Sequence, residues 1–161
     1  MRNLFEVTEG RARVAAARTG SRLAGVLVAT PPFGWPLPPP SILGQLRTLA
    51  AQGLRVARRW RRAFEQLERG RPDGAHWYVA ALGVETSLQG RGIGGALLAS
   101  FVAQTRSDGV EVWLETDLER NLAFYGRHGF EVREELMVLA TPVWRLRRAA
   151  PEAVFAKPRL R

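Results

Sequence analysis

The chain has 161 residues, 46% hydrophobic and 24% charged, proportions that suit one globular domain. It contains no cysteine and only two histidines, His76 and His128, so neither a disulfide framework nor a thiolate or histidine-rich metal site is expected. No segment approaches the roughly eighteen uninterrupted apolar residues of a membrane span, and MRNLFEVTEGRARV carries acids where a secretory leader would be apolar; a bacterial-type cytoplasmic protein without membrane attachment is expected.

The net charge is +9 and Lys157 is the only lysine. Arginine favours planar, bidentate contacts to phosphate and carboxylate. Coding bias is the leading explanation of the excess; read as function, it favours an anionic partner without naming one.

In chain order, Arg11–Thr19 and Arg22–Thr30 are two β-type runs around Gly20-Ser21, a hairpin signal. Pro31–Ser41 is a proline-rich loop, with Ser41 able to cap the next helix. From Ile42 to Arg69, Leu46, Leu49, Ala50, Val56, Ala57, Trp60, Ala63, Phe64 and Leu67 recur at helical spacing, and Gly53 should bend or divide the helix. Arg47, Arg55, Arg58, Arg59, Arg61 and Arg62 fall mostly off that stripe. No aromatic interleaving or helix-turn-helix pattern accompanies them, so a solvated face is expected and nucleic acid is not.

His76–Val84 reads as a strand, Gly92–Ser107 as a helix, Val110–Thr116 as a strand, and Glu119–Gly129 as a short helix closed by glycine. Phe130–Leu139 and Pro142–Arg148 read as a final strand pair. The expected fold is mixed α/β, a partly antiparallel central sheet flanked by helices. Residues 1–148 are expected to form the domain and 149–161 a basic, mobile tail.

The most informative stretch is LQGRGIGGALLASF, Leu88 to Phe101. It is not a P-loop, because no Gly-Lys-Ser/Thr follows its glycines. Gly90-x-Gly92-x-x-Gly95 does satisfy the dinucleotide fingerprint, and Glu115 stands about twenty residues on, where the ribose-binding acid belongs. However, Glu85–Gln89 separates the strand from the glycines, whereas the dinucleotide turn follows its strand almost directly. Too little chain follows Glu115 for the second half of a doubly wound sheet.

Gln89-Gly-Arg-Gly-Ile-Gly94 also fits Q/R-x-x-G-x-G/A, placed after a strand and before a helix. Backbone N–H groups at a helix N-terminus can seat a pyrophosphate, and glycine lets it come close. Downstream, LETDLERNLAFYGRHGFEV, Leu114 to Val132, carries Asn121, Tyr125 and Gly129-Phe130. Together these segments resemble the GNAT acyltransferase superfamily, and within it the puromycin N-acetyltransferase-like branch, over His76 to Arg148.

The resemblance implies acetyl-CoA as co-substrate, no metal, and transfer of the acetyl group to a primary amine of a small molecule. It implies that Leu82 and Val84 pair through their backbones with the donor, that the strand splays at Val84, and that the Val84 N–H polarises the thioester carbonyl. Gln89, Gly90, Arg91, Gly92, Gly94 and Gly95 would seat the pyrophosphate, with Arg120 and Arg127 in reach of phosphates. Asn121 would bond the pantetheine or the helix backbone.

Tyr125 would protonate the departing thiolate, its alternative being packing against Phe130. Glu115 would bind the acceptor amine or take its proton, directly or through water, its alternative being a solvated strand end. Trp77, Tyr78 and Trp113 are expected in the core or at an acceptor pocket. His76 is expected to be structural, and His128 to meet the last helix carbonyls.

Members of the superfamily normally place a strand and one or two helices before the hairpin, often walling the acceptor site. Only about ten residues stand there here, so these elements are expected to be missing, with a second subunit or the arginine-rich helix in their place; a homodimer would fit. A non-catalytic acyl-CoA-binding or interaction module is the alternative function.

Overall fold

A computed structural model describes the backbone of residues 2–9, 12–34 and 42–151, and the side chains of 12–34 and 53–151. The Ser41 cap, the side chains of Arg47, Leu46, Leu49 and Ala50, most of the proline-rich loop and the tail beyond residue 151 lie outside the described residues.

Strands β1 (Arg2–Glu9), β2 (Ala12–Thr19) and β3 (Arg22–Thr30) are followed by helix α1 (Ile42–Glu68) and strand β4 (His76–Val84). Helix α2 (Ile93–Gln104), strand β5 (Glu111–Thr116), helix α3 (Arg120–Gly126) and strands β6 (Glu131–Val138) and β7 (Thr141–Arg148) complete the order. The strands form one seven-stranded sheet in the order β1-β2-β3-β4-β5-β7-β6. Every neighbouring pair is antiparallel except β4 with β5. This is the mixed, partly antiparallel sheet expected from the sequence.

The hairpin and the final strand pair form where the turn and alternation signals placed them. Strand β1 was not anticipated. Its register runs from Arg2 opposite Thr19 to Glu9 opposite Ala12, so a strand does precede the hairpin, and only Gly10 and Arg11 separate it from β2. What is absent between β1 and β2 is the helical wall. The long helix enters instead between β3 and β4, and it breaks at Gly53, whose φ of 80° and ψ of 163° are not helical.

The two faces of the sheet are chemically different because strand side chains alternate. One face carries Ala15, Ala17, Leu27, Ala29, Trp77, Val79, Val112, Leu114 and Leu146, and α2 covers it with Ile93, Leu97, Leu98 and Phe101. Tyr125 of α3 and Phe130 join the same core. Trp77 belongs to it, edge-on to Phe101, with its Nε1 donating to Asp108 at 2.8 Å. A Cβ on Gly25 would stand 3.0 Å from the Gly83 carbonyl oxygen and 3.1 Å from Ile93 Cγ2. The absence of a side chain there lets the start of α2 settle onto β3, directly beside the end of β4.

The opposite face is polar at its centre. Arg145 of β7 lies directly between Glu115 of β5 and Glu134 of β6 in the strand register. Its Nε donates to Glu115 Oε1 at 2.9 Å, and its Nη1 to Glu134. Its remaining hydrogens close the end of α1: Nη2 donates to the Leu67 carbonyl at 2.6 Å and Nη1 to the Gly70 carbonyl at 2.8 Å. A helix C-terminus leaves carbonyls without intrahelical donors, and a buried guanidinium here satisfies them. A small apolar cluster of Ala63 and Leu67 against Val138 and Val143 secures the rest of the helix end.

Arg145 is 3% exposed and Glu115 is 9% exposed. Removing one member of such a pair leaves the other charge buried and uncompensated, which typically costs about 3–5 kcal/mol. Arg145→Ala should therefore lower the urea-unfolding free energy by an amount of that order. A change below about 0.5 kcal/mol, the scale of an ordinary surface substitution, would show that the network does not hold α1 to the sheet.

Candidate active site

Strands β4 and β5 pair only from His76 opposite Glu111 to Val79 opposite Leu114. Beyond Val79 they part, earlier than the expected splay at Val84. The β3–β4 register also shifts at Val28/Ala29, so that Val28 faces Ala81 and Ala29 faces Val79. The extra residue, Ala80, is a bulge at the point of parting, and bulges commonly end pairing and re-aim a strand.

The Glu85 N–H donates to the Ala24 carbonyl at 2.9 Å. Backbone groups alternate in direction along an antiparallel strand, so the N–H and C=O groups of Leu82 and Val84 turn away from β3, toward the open side. The Val84 carbonyl is met there by Gln89, whose Nε2 donates to it at 3.2 Å.

Where the strands part, the end of β4, the turn into α2 and helix α3 bound a cleft of about 680 Å³. Leu82, Val84, Gln89, Gly90, Gly92, Gly94 and Gly95 line one side, and Asn121 and Tyr125 of α3 the other, with Arg120, Phe124 and Arg127. Two segments far apart in sequence thus meet across one opening. Arg91 does not line it.

The chain reaches α2 through a short 3-10 turn, Thr86–Leu88, and then two residues in left-handed conformation, Gly90 at φ 73° and Gly92 at φ 75°. Only glycine takes such angles without a Cβ penalty. Gly92 caps α2, and its carbonyl accepts the Ala96 N–H at 3.0 Å. The first N–H groups of α2 have no partner within the helix and open toward the cleft, a ready seat for an anion.

Gly94 and Gly95 have other neighbours. A Cβ on Gly94 would be 3.5 Å from Val84 Cγ2, an ordinary contact, whereas one on Gly95 would be 3.2 Å from His128 Nε2. His128, expected at the carbonyls ending α3, instead lays its ring along the start of α2 and against Phe124. Burial, and then the charge of Arg127, push its pKa down.

Tyr125 is buried to 8% exposure between Phe124 and Phe130, with ring centroids at 5.1 and 6.0 Å. It is both a core aromatic and a cleft residue, so its two expected readings coexist. Its hydroxyl has no hydrogen-bond partner among the described residues, and burial raises its pKa. Asn121 donates from Nδ2 to Thr116 Oγ1 at 3.1 Å, and the Leu118 N–H meets the same oxygen at 3.3 Å. This ties the start of α3 to the end of β5.

Glu115 differs from its expectation as an open carboxylate beside the cleft. Besides Arg145, it accepts the Tyr78 hydroxyl hydrogen at 2.9 Å. It lies on the face away from α2 and does not line the cleft. The Tyr78–Glu115 bond spans β4 and β5 at the place where they part. Tyr78 is held far above its ordinary pKa, first by burial and then by the Glu115 charge, and the Arg71 guanidinium stacks 4.4 Å from its ring centroid. Tyr78 and Arg145 are the partners that sequence reading missed.

Trp113 shares this face and donates to Glu111 at 2.9 Å, and the His76 Nδ1 sits 2.9 Å from the Gly74 carbonyl. Among the described residues, no group of three or more His, Cys, Asp or Glu side chains could hold a metal ion, and no helix is long and apolar enough to cross a membrane.

Comparison with known proteins finds the same fold elsewhere. A Corynebacterium glutamicum protein described as histone acetyltransferase HPA2 and related acetyltransferase superposes with a TM-score of 0.63 at 19% identity, over 94% of this chain and 68% of that one. A Bacillus subtilis acetyltransferase in complex with CoA gives 0.56 at 14% identity, over 92% and 99%. Arabidopsis thaliana NAA60 with a bisubstrate analogue gives 0.56 at 20% identity, over 88% and 77%. At these identities the likeness is one of fold. Membership rests on the family comparison, in which the acetyltransferase (GNAT) family model matches residues 4–130: this chain belongs to the GNAT acetyltransferase family.

Proposed function

We propose that the protein is an acetyl-CoA-dependent N-acetyltransferase that moves an acetyl group to a primary amine of a small molecule by direct attack in a ternary complex. The observation that carries this reading is the convergence on one cleft of an anion-seating helix start, outward-turned strand amides and an unpartnered, buried phenol.

In this account Gln89, Gly90, Arg91, Gly92, Gly94 and Gly95 form the diphosphate seat, with the left-handed Gly90 and Gly92 turning the chain into α2. Arg91 contributes charge from outside the cleft lining. Leu82 offers its backbone N–H and C=O groups to the pantetheine as a missing neighbour strand would receive them, while the Val84 C=O is held by Gln89. The Val84 N–H stabilises the negative charge that builds on the acetyl oxygen, a preorganised donor that needs no reorientation during reaction. Asn121, fixed by Thr116, keeps its amide oxygen for the same arm.

The neutral amine forms the C–N bond as the C–S bond breaks. Tyr125 hands its phenolic proton to the departing thiolate and recovers one from solvent. Because both Glu115 oxygens are engaged by Arg145 and Tyr78, the amine proton is assigned to water. Glu115 acts as a positioning residue that fixes the parting of β4 and β5. The alternative, a non-catalytic acyl-CoA-binding module, draws support from the direct connection of β1 to β2, which leaves out the helices that often wall the acceptor.

Tyr125→Phe should depress kcat by about 10²–10⁴-fold, the usual scale of general acid–base catalysis, while leaving acetyl-CoA affinity within about twofold, read by calorimetry. Unchanged kcat under single-turnover conditions would remove Tyr125 as the acid. Saturable CoA binding without transfer across a broad amine panel would favour the non-catalytic module.

A pH profile gives an independent check. Burial raises the Tyr125 pKa, so the protonated phenol needed for donation persists past its ordinary value of about 10. The kcat profile should therefore show no Tyr125-dependent alkaline fall below about pH 10. An alkaline limb below that value that disappears in Tyr125→Phe would contradict the burial argument.

A further inference from the structure

A second concave surface lies outside the cleft. A groove of about 490 Å³ between α1 and the β6–β7 turn is lined by Arg55, Arg58, Arg59, Arg62 and Leu139. The positions i, i+3, i+4 and i+7 fall on one stripe of a helix.

The four arginines differ from others in the chain. Arg61 pairs with Glu65, Arg71 with Glu68, Arg133 with Glu131, Arg145 with Glu115 and Glu134, and Arg147 with Glu111. Arg55, Arg58, Arg59 and Arg62 are exposed and have no ion pair or hydrogen bond among the described residues. Among the described residues, no carboxylate lines the groove. Four like charges held together without counter-charges repel one another, and an anion that binds them relieves that repulsion.

We propose that this groove binds the phosphate backbone of a nucleic acid without regard to base sequence. Guanidinium is planar and contacts phosphate oxygens in pairs. From Arg55 to Arg62 the helix rises about 10 Å, which matches about three nucleotide steps of a stacked strand. Among the described residues Leu139 is the one apolar side chain in the lining, so the surface holds charge and has little to grip an acyl chain. The groove is an open stripe rather than an enclosed pocket, so a ligand gains by extending along it and engaging several cations at once. The net charge of +9 steers such a polymer toward the protein. The four arginines are exposed, as the solvated face expected from sequence requires, and they gather along one groove.

The test uses the full chain and a fluorescently labelled 20-nucleotide uridine strand, with anisotropy followed as salt is raised. Binding should be saturable at low salt, and log K should fall linearly with log salt. The combined variant Arg58→Gln, Arg59→Gln, Arg62→Gln should reduce the magnitude of that slope by about 2, since each phosphate contact on a single strand contributes about 0.7.

Arg61→Gln, on the same helix but paired with Glu65, should leave the slope within about 0.3. Circular dichroism on both variants separates lost binding from lost folding. No binding at low salt would overturn the proposal, as would binding that the triple variant leaves unchanged. So would the appearance of the same arginine dependence only with phosphatidylserine vesicles or poly-glutamate and not with the oligonucleotide.

Discussion

The parallel ladder between β4 and β5 stops after Val79 and Leu114, and the candidate active site depends on that stop. Had pairing continued, the outward amides of Leu82 and Val84 would bond a neighbouring strand and no cleft would exist. The Ala80 bulge breaks the register on one side, and α3, anchored by Asn121 on Thr116, diverts the chain on the other. The exposed strand edge is the price of the site. Edges of this kind are normally covered or blunted; here the edge stays open, with Gln89 meeting one of its carbonyls.

The two faces of the sheet divide the labour around this opening. On the α2 face, close packing positions the glycine turn: Gly25 lets Ile93 approach β3, and Gly95 leaves room for His128. On the other face, Tyr78, Glu115 and Arg145 span β4, β5 and β7 and extend through carbonyls to the end of α1. A buried ion pair is weak evidence for net stability, because desolvation opposes the Coulomb gain. Its value here is geometric. It fixes the separation of two strands at the point where they diverge, and with the small apolar cluster around Ala63 it orients the C-terminal end of a long helix.

Much of the site was legible because it is local. The Gln89–Gly95 turn writes its backbone angles into contiguous glycines, and the Asn121 to Phe130 segment carries its spacing within one helical unit. The hairpin, the helices and the last strand pair were legible through periodicity and turn residues. Contacts between distant segments were not. Arg145 faces Glu115 only because β7 inserts between β5 and β6, a choice of neighbour that no local pattern encodes. Gly95 reads in sequence only as one more pyrophosphate seat, and the second demand on it, the approach of His128 from the turn after α3, is not visible there. Arg61, which is paired, and Arg55, Arg58, Arg59 and Arg62, which are not, look alike in sequence, and only the position of Glu65 around the helix separates them. Strand β1 was not legible because a strand of mixed polarity announces itself mainly through its partner.

The central claim is that the donor enters between the parted strands with its diphosphate on the start of α2. Amide chemical shifts followed during acetyl-CoA titration test it most directly. The account predicts that the largest changes fall on Leu82, Val84, Gly90, Gly92, Gly94 and Gly95, on both walls of the opening together with Asn121 and Tyr125. Changes confined to the arginine groove of α1, or to the Glu115 face alone, would contradict it.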